Sequence, residues 1–203
     1  MKVFRCGPER IRRCAEVLAA AFQDDPLWIY VIPEVSERIR MLPAAFDRFL
    51  RYFFMFGEVY VAGDEILGVA AWLPAAYWQG TPERDRACGA DDLSSVMDVA
   101  ATRRLGDYIE FLEQLHEHAL PGSHWYLPQL GVDPDHHGKG VGGALLQPIL
   151  MRADAEGLAC YLETETLRNV PFYSRHGFEN LVAGVEPVSG LAFWTFRRLP
   201  RKR

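Results

Sequence analysis

The sequence predicts one mixed α/β or α+β domain, and three observations predict it. Runs of β-branched and aromatic residues alternate with segments whose apolar residues recur at helical spacing. No internal repeat, low-complexity segment or linker-like stretch divides the chain, so residues 1–203 read as a single domain. Hydrophobic residues fill 49% of the 203 positions against 24% charged, enough for a sizeable core and too apolar for a disordered chain.

Residues 3–5 read as a short strand. Ile11, Cys14, Ala15, Leu18, Ala19 and Phe22 then fall on one helical face, with Pro8 to start the helix and Asp24-Asp25-Pro26 to stop it. Residues 34–56 carry Ile39, Leu42, Phe46, Phe49 and Phe53 at the same period, with Pro43 a boundary or kink. Two β-rich runs, 58–62 and 66–73, flank Gly63-Asp64-Glu65 and suggest a hairpin. Residues 74–90, rich in Pro, Gly and charge, read as a loop, and 91–118 as helical. A strand over 124–132, a glycine loop, a helix to about 156, a strand over 159–163, a short helix over 169–176 ended by Gly177, and strands over 178–185 and 191–198 complete the chain.

A net charge of −5 gives no general reason to expect nucleic acid. The basic tail over 197–203 reads as a solvated chain end. Cys6, Cys14, Cys88 and Cys160 show no metal-like spacing and read as reduced thiols. His116 and His118 face different sides of a helix, so no metal site is expected from them. The N-terminus lacks an apolar signal core, and no apolar run approaches the roughly 20 residues that span a bilayer. These features together predict a cytoplasmic protein that binds neither membrane nor nucleic acid.

The most informative stretch is LGVDPDHHGKGVGGALL, from Leu130 to Leu146. An apolar strand runs into an Asp-Pro turn, then Gly138, Gly140, Gly142 and Gly143, then an apolar helix. A glycine loop opening a helix turns unpaired N–H groups toward one point, where the helix dipole adds positive potential, so it suits a phosphate or pyrophosphate. The nucleotide-hydrolase P-loop does not fit, because Asp133 stands at its first glycine and Gly140 at its metal-binding hydroxyl. The dinucleotide fingerprint G-x-G-x-x-G is met by Gly138, Gly140 and Gly143, with Glu163 near the ribose-binding distance. Against it, Asp133–His137 separate strand from glycine, and about 60 residues follow, too few for a two-halved nucleotide sheet.

Val132-x-Pro134-x-x-His137-Gly138-Lys139-Gly140-Val141-Gly142-x-Ala144-Leu145 resembles the acetyl-CoA motif of the GNAT N-acetyltransferases. The later segment LETETLRNVPFYSRHGF, 162–178, is similar to the family's next motif, and the two together look closest to puromycin N-acetyltransferase-like members. The resemblance covers about the last 80 residues strongly and the rest only in layout. It implies a central mixed, mostly antiparallel sheet of six to seven strands, splayed between the fourth and fifth, with helices on both faces. It also implies a variable acceptor-side half, 1–120, and an acetyl-CoA-binding half, 121–203. One departure is His137, where the family carries Gln or Arg.

The resemblance implies an N-acetyltransferase moving an acetyl group directly from acetyl-CoA, its co-substrate, to a primary amine of a small molecule. No covalent acetyl-enzyme is expected. Main-chain groups of Gly138, Lys139, Gly140, Val141, Gly142 and Gly143, with His137 shaping the loop, would cradle the pyrophosphate. Leu130, Gly131 and Val132 would pair the pantetheine arm, one of their N–H groups polarising the thioester carbonyl. Asn169 matches a position that contacts the arm, and Tyr173 the general acid for the departing thiolate. The base is open between Glu163, Glu165, His124 and ordered water. Asp25, Trp28 and Tyr30, with Asp24 and the run 52–54, are candidates for the acceptor pocket, because acid plus aromatics suits a cationic amine. The rivals are a non-catalytic acyl-CoA-binding sensor and a dinucleotide-dependent oxidoreductase; monomer and homodimer both stay open.

Overall fold

The computed structural model describes residues 1–201; the last two residues of the basic tail lie outside them. Among the described residues, seven strands form one sheet: β1 (Val3–Arg5), β2 (Glu58–Ala62), β3 (Gly68–Pro74), β4 (His124–Val132), β5 (Ala159–Thr164), β6 (Glu179–Val185) and β7 (Ala192–Arg198). Their order is β1-β2-β3-β4-β5-β7-β6. All neighbours pair antiparallel except β4 and β5, which run parallel.

That parallel pair is short. It joins His124–Tyr126 to Ala159–Tyr161 and then stops, although both strands continue. Beyond Tyr126, β4 pairs only with β3, and its register slips between Ala71 and Leu73. The slip leaves Leu127 and Pro128 opposite Trp72, a bulge of the kind that bends a strand away from its neighbour. Pro128 has no N–H to add to either ladder.

Side chains alternate across the sheet and fill two cores. On one face Val69, Ala71 and Leu73 meet α1 (Ile11–Ala21) and α3 (Val35–Phe56). On the other, Ala70 and Trp72 meet α6 (Val141–Glu156), with α7 (Val170–Arg175) beside it. The remaining helices are α2 (Pro26–Val31), α4 (Pro82–Cys88) and α5 (Val99–Ala119), and α2, α3 and α5 close over the first face.

Four expectations need correction. The helix read over 91–118 begins only at Val99, capped by Asp98, after a separate 3-10 turn over Leu93–Ser95. Asp24-Asp25-Pro26 ends α1 but also starts α2: Asp25 accepts the Leu27 N–H at 3.0 Å and Pro26 takes the first helical position. The loop read over 74–90 contains α4, capped by Thr81, begun by Pro82 and ended by left-handed Gly89. Pro43 neither ends nor divides α3. The carbonyl it leaves unpaired belongs to Ile39, 61% exposed, so the lost bond falls on the solvent side.

Candidate active site

Where β4 and β5 part, two cavities open and meet. The first, about 660 Å³, lies between the end of β4, the start of α6 and α7. The second, about 440 Å³, lies under α5, between β4, β5 and the aromatic faces of α2 and α3. Asp25, Leu130, Asn169 and Tyr173 line both.

The first cavity is built mainly from backbone. Gly140 takes φ +78° and caps α6, a conformation costly for any residue with a Cβ; Gly138 takes φ +74°. No hydrogen-bond acceptor among the described residues takes the N–H groups of Gly138, Lys139 and Gly140. The next intrahelical bond begins with Ala144 donating to Gly140, so Val141, Gly142 and Gly143 also keep free N–H groups at the positive end of a 16-residue helix. Gly143 serves a different need. A Cβ there would stand 2.8 Å from His176 Nε2, so its absence leaves room for that ring.

His137 lies beside the loop, its Nε2 2.9 Å from the Val132 carbonyl, and Lys139 Nζ donates to the Asp135 carbonyl. Both side chains fold back onto the loop. The Asp133 N–H donates to Leu67 on the β3 side. Strand alternation therefore turns the N–H of Gly131 to β3 and those of Leu130 and Val132 into the cleft. Of the three expected rail residues, Leu130 and Val132 present donors and Gly131 does not.

The second cavity is built from side chains. Trp28, Phe49, Tyr52, Phe53, Trp78 and Tyr126 contribute to its walls, and Asp25, Glu163 and Glu165 gather toward the junction. Asp25 is fixed by its cap and by the Thr166 hydroxyl, which donates to it at 3.3 Å; burial pushes its carboxyl up to about 6. Glu165 accepts from the Tyr108 hydroxyl at 3.1 Å, and burial, with the Asp25 charge nearby, pushes it up to about 8. The Glu163 side chain is 5% exposed and burial pushes it up to about 8, against the pull of the Tyr126 and Tyr161 hydroxyls. Among the described residues, Glu163 Oε1 and Gln129 Oε1 are buried acceptors without a donor.

Tyr173 is buried at the junction against Phe178 and Phe196, and burial raises its phenol above the usual range, so it stays protonated. Asn169 donates to Thr164 Oγ1 at 3.0 Å and ties the start of α7 to the end of β5. Tyr30 lines neither cavity. Two residues past Trp28 it is turned some 200° round α2 and packs elsewhere on the first core. Asp24 is exposed, and Phe54 also lies off the cavity wall. His124 lies behind His116 and lines neither cavity. Cys160 is fully buried in the second core, its thiol pushed up to about 12.

Sequence reasoning missed His116 and Trp78. His116 was set aside as a metal ligand, yet it continues the stripe Leu105, Ile109, Leu112 down one face of α5 into the cavity. That continuity was the available signal. Nothing in the sequence marks Trp78, which a loop carries over the His116 ring.

A parallel strand pair that parts over a glycine-capped helix defines the class, a GNAT-type acyltransferase fold. Comparison with known proteins bears this out. The family model for the acetyltransferase (GNAT) domain matches residues 99–180. An uncharacterized N-acetyltransferase of Schizosaccharomyces pombe is 27% identical over 184 residues, covering 88% of this chain and 74% of the relative. A crystal structure described as histone acetyltransferase HPA2 and related acetyltransferase, from Corynebacterium glutamicum, superposes with a TM-score of 0.71 at 26% identity, covering 100% of this chain and 97% of that one. An arylalkylamine N-acetyltransferase of Aedes aegypti gives 0.59 at 15% identity, covering 98% and 99%, a likeness of fold alone. The family model and the relatives at 26% and 27% identity support the GNAT superfamily and an N-acetyltransferase enzyme.

Proposed function

We propose that the protein transfers the acetyl group of acetyl-CoA directly to the primary amine of a small molecule with a cationic head and an apolar or aromatic body. The observation that carries this reading is the meeting of an amide-lined cavity and an acid-lined aromatic cavity at Asp25, Leu130, Asn169 and Tyr173. Free N–H groups over 138–143 suit a diphosphate, so the residues present fit coenzyme A. When bound, it supplies an activated thioester. Leu130 and Val132 hold the arm along the open edge of β4, and one of their N–H groups polarises the carbonyl. Asn169 keeps the end of β5 beside that arm, and Tyr173 donates a proton to the departing sulfur.

On the acceptor side, two buried oxygens without donors, on Glu163 and Gln129, suit a ligand rich in N–H groups. Asp25 and Glu165 favour its positive charge, and Trp28, Tyr52 and Phe53 cover its apolar part. Glu163 takes the amine proton as general base. Its raised affinity for protons makes it a stronger base than an exposed carboxylate. The inert Cys160, and no cysteine among the described residues at the junction, support direct transfer. The Aedes protein's arylalkylamine substrate is of the same chemical kind as the acceptor proposed here.

The remaining parts of the reading are a single catalytic domain with a donor half from about residue 121, a cytoplasmic setting, and a monomer or homodimer. The kinship with puromycin N-acetyltransferase-like members rests on the shared segments over 124–145 and 162–178. No helix among the described residues is long and apolar enough to cross a membrane. Calorimetry with acetyl-CoA, followed by release of the CoA thiol across a panel of alkyl and arylalkyl amines, tests the proposal. Cofactor binding without transfer to any amine would point instead to a sensor domain; binding of NAD but not acetyl-CoA would point to an oxidoreductase.

A further inference from the structure

Glu163 has a neighbour whose orientation is dictated from outside the cavity. His124 Nδ1 lies 2.8 Å from the Gly122 carbonyl, which only accepts, so the proton is on Nδ1. His124 is 3% exposed and burial holds its ring neutral, so Nε2 carries a lone pair. His116 Nε2 lies 2.8 Å from that atom and must donate to it. His116 is also buried, 1% exposed, and held neutral by burial. Its Nδ1 is therefore an unprotonated lone pair, and it faces Glu163 Oε1 at 3.9 Å. The ring has little freedom to turn. It stacks on Tyr161 at 4.0 Å, lies under Trp78 at 4.1 Å and packs on Tyr126 at 4.6 Å.

We propose that His116 and His124 are positioning residues that make Glu163 a stronger base, because the Gly122 carbonyl locks both tautomers and turns a lone pair toward its carboxyl. A lone pair repels an ionised carboxylate and attracts a carboxylic O–H. The pair therefore favours the protonated form. From β4 the Tyr126 hydroxyl and from β5 the Tyr161 hydroxyl stabilise the ionised form, while Glu165, at the end of β5, works with the histidines. Glu113, on α5 with His116, adds a further carboxyl to the same cavity. The inference rests on the base assignment made above and deepens it.

Two variants and one direct measurement test it. His116→Asn puts an amide where Nδ1 was, free to turn its NH2 toward Glu163. His124→Phe removes the acceptor that fixes His116, freeing its Nδ1 to carry a proton. Both should move the acidic limb of the kcat/KM profile down by about one pH unit while the thermal midpoint shows a folded protein. An unmoved or raised limb in either folded variant overturns the proposal. Nitrogen-15 NMR of the unsubstituted protein reads the tautomers without any variant. His116 should show Nδ1 unprotonated and Nε2 protonated, and His124 the reverse; the opposite pattern, or a charged ring at neutral pH, overturns it. Glu163→Gln separates the two readings. If that variant keeps the limb and the rate, the base assignment falls, whereas the infrared C=O band of protonated Glu163, titrated against the His116 variant, still reports whether the histidines tune it.

Discussion

The two cavities solve opposite problems with opposite materials. The donor side presents main-chain N–H groups and glycines, and its charge comes from a helix end. The acceptor side presents aromatic rings and several carboxyls, among them Asp25, Glu163 and Glu165, and its polarity comes from side chains out of water. On the proposed reading, the backbone site would bind what every acyl-CoA has in common. The side-chain site, which changes with each substitution in its walls, would carry specificity and proton transfer.

Substitutions at the junction should break this division of labour most severely. Glu163→Gln keeps the size of the side chain and removes its basicity, so kcat/KM should fall by about 10²–10⁴. Acetyl-CoA affinity by calorimetry should stay unchanged; a comparable loss of affinity would place Glu163 on the donor side. Tyr173→Phe should lower kcat by about 10- to 100-fold through slower thiolate departure, again with near-normal acetyl-CoA binding. A large loss of binding with normal turnover would contradict the acid role.

On the donor side alone, Gly140→Val forces a β-branched residue into positive φ, a strain of about 1–3 kcal/mol. Acetyl-CoA binding should weaken by about tenfold or more while the amine KM is little changed. An equal effect on both ligands would mean that the cavities do not act independently.

Acidity should separate the two sides more gently. Asp25, Glu163 and Glu165 are held protonated above their unfolded range, so the folded state binds more protons than the unfolded one. Their contribution to stability is full below about pH 4. It is lost as pH rises, through about 6 for Asp25 and about 8 for the two glutamates. The thermal midpoint should fall across that window while kcat/KM climbs toward about pH 8 as Glu163 ionises. Alanine at each of the three positions should flatten the fall; an unchanged slope would show that the carboxyls are not its source. The smallest effect is expected at Tyr30→Ala, which leaves kcat/KM within about twofold because Tyr30 lies off both walls.

The same contrast explains what the sequence disclosed. Gly138 and Gly140 are visible because a backbone conformation demands glycine, and the strand before them ends in the structure where its pattern ends, at Val132. The individual strands and the long helices were legible for the same reason, from local period and punctuation, whereas the splay and the helices on both faces were expected only from the family resemblance. The acceptor wall was not. Glu163 and Glu165 alternate as any strand end does, and only burial under α5, set by Tyr108 and by Arg104 donating to the Val31 carbonyl at 3.0 Å, makes them unusual. Tyr30 looked equal to Trp28 in sequence, and only the turn of a six-residue helix separates them. Helix α4 was missed although Thr81, Pro82 and Gly89 mark its ends, because charge and proline were read as loop.

The bulge at Leu127–Pro128 bears on how the two strands stay apart. Two strands lying side by side with free amides would tend to zip together and erase the gap between them. A proline at the fork cannot take part in that ladder, so an empty protein keeps its cleft apart without a ligand to wedge it. Readiness for the next encounter is written into one imino acid in the cavity wall.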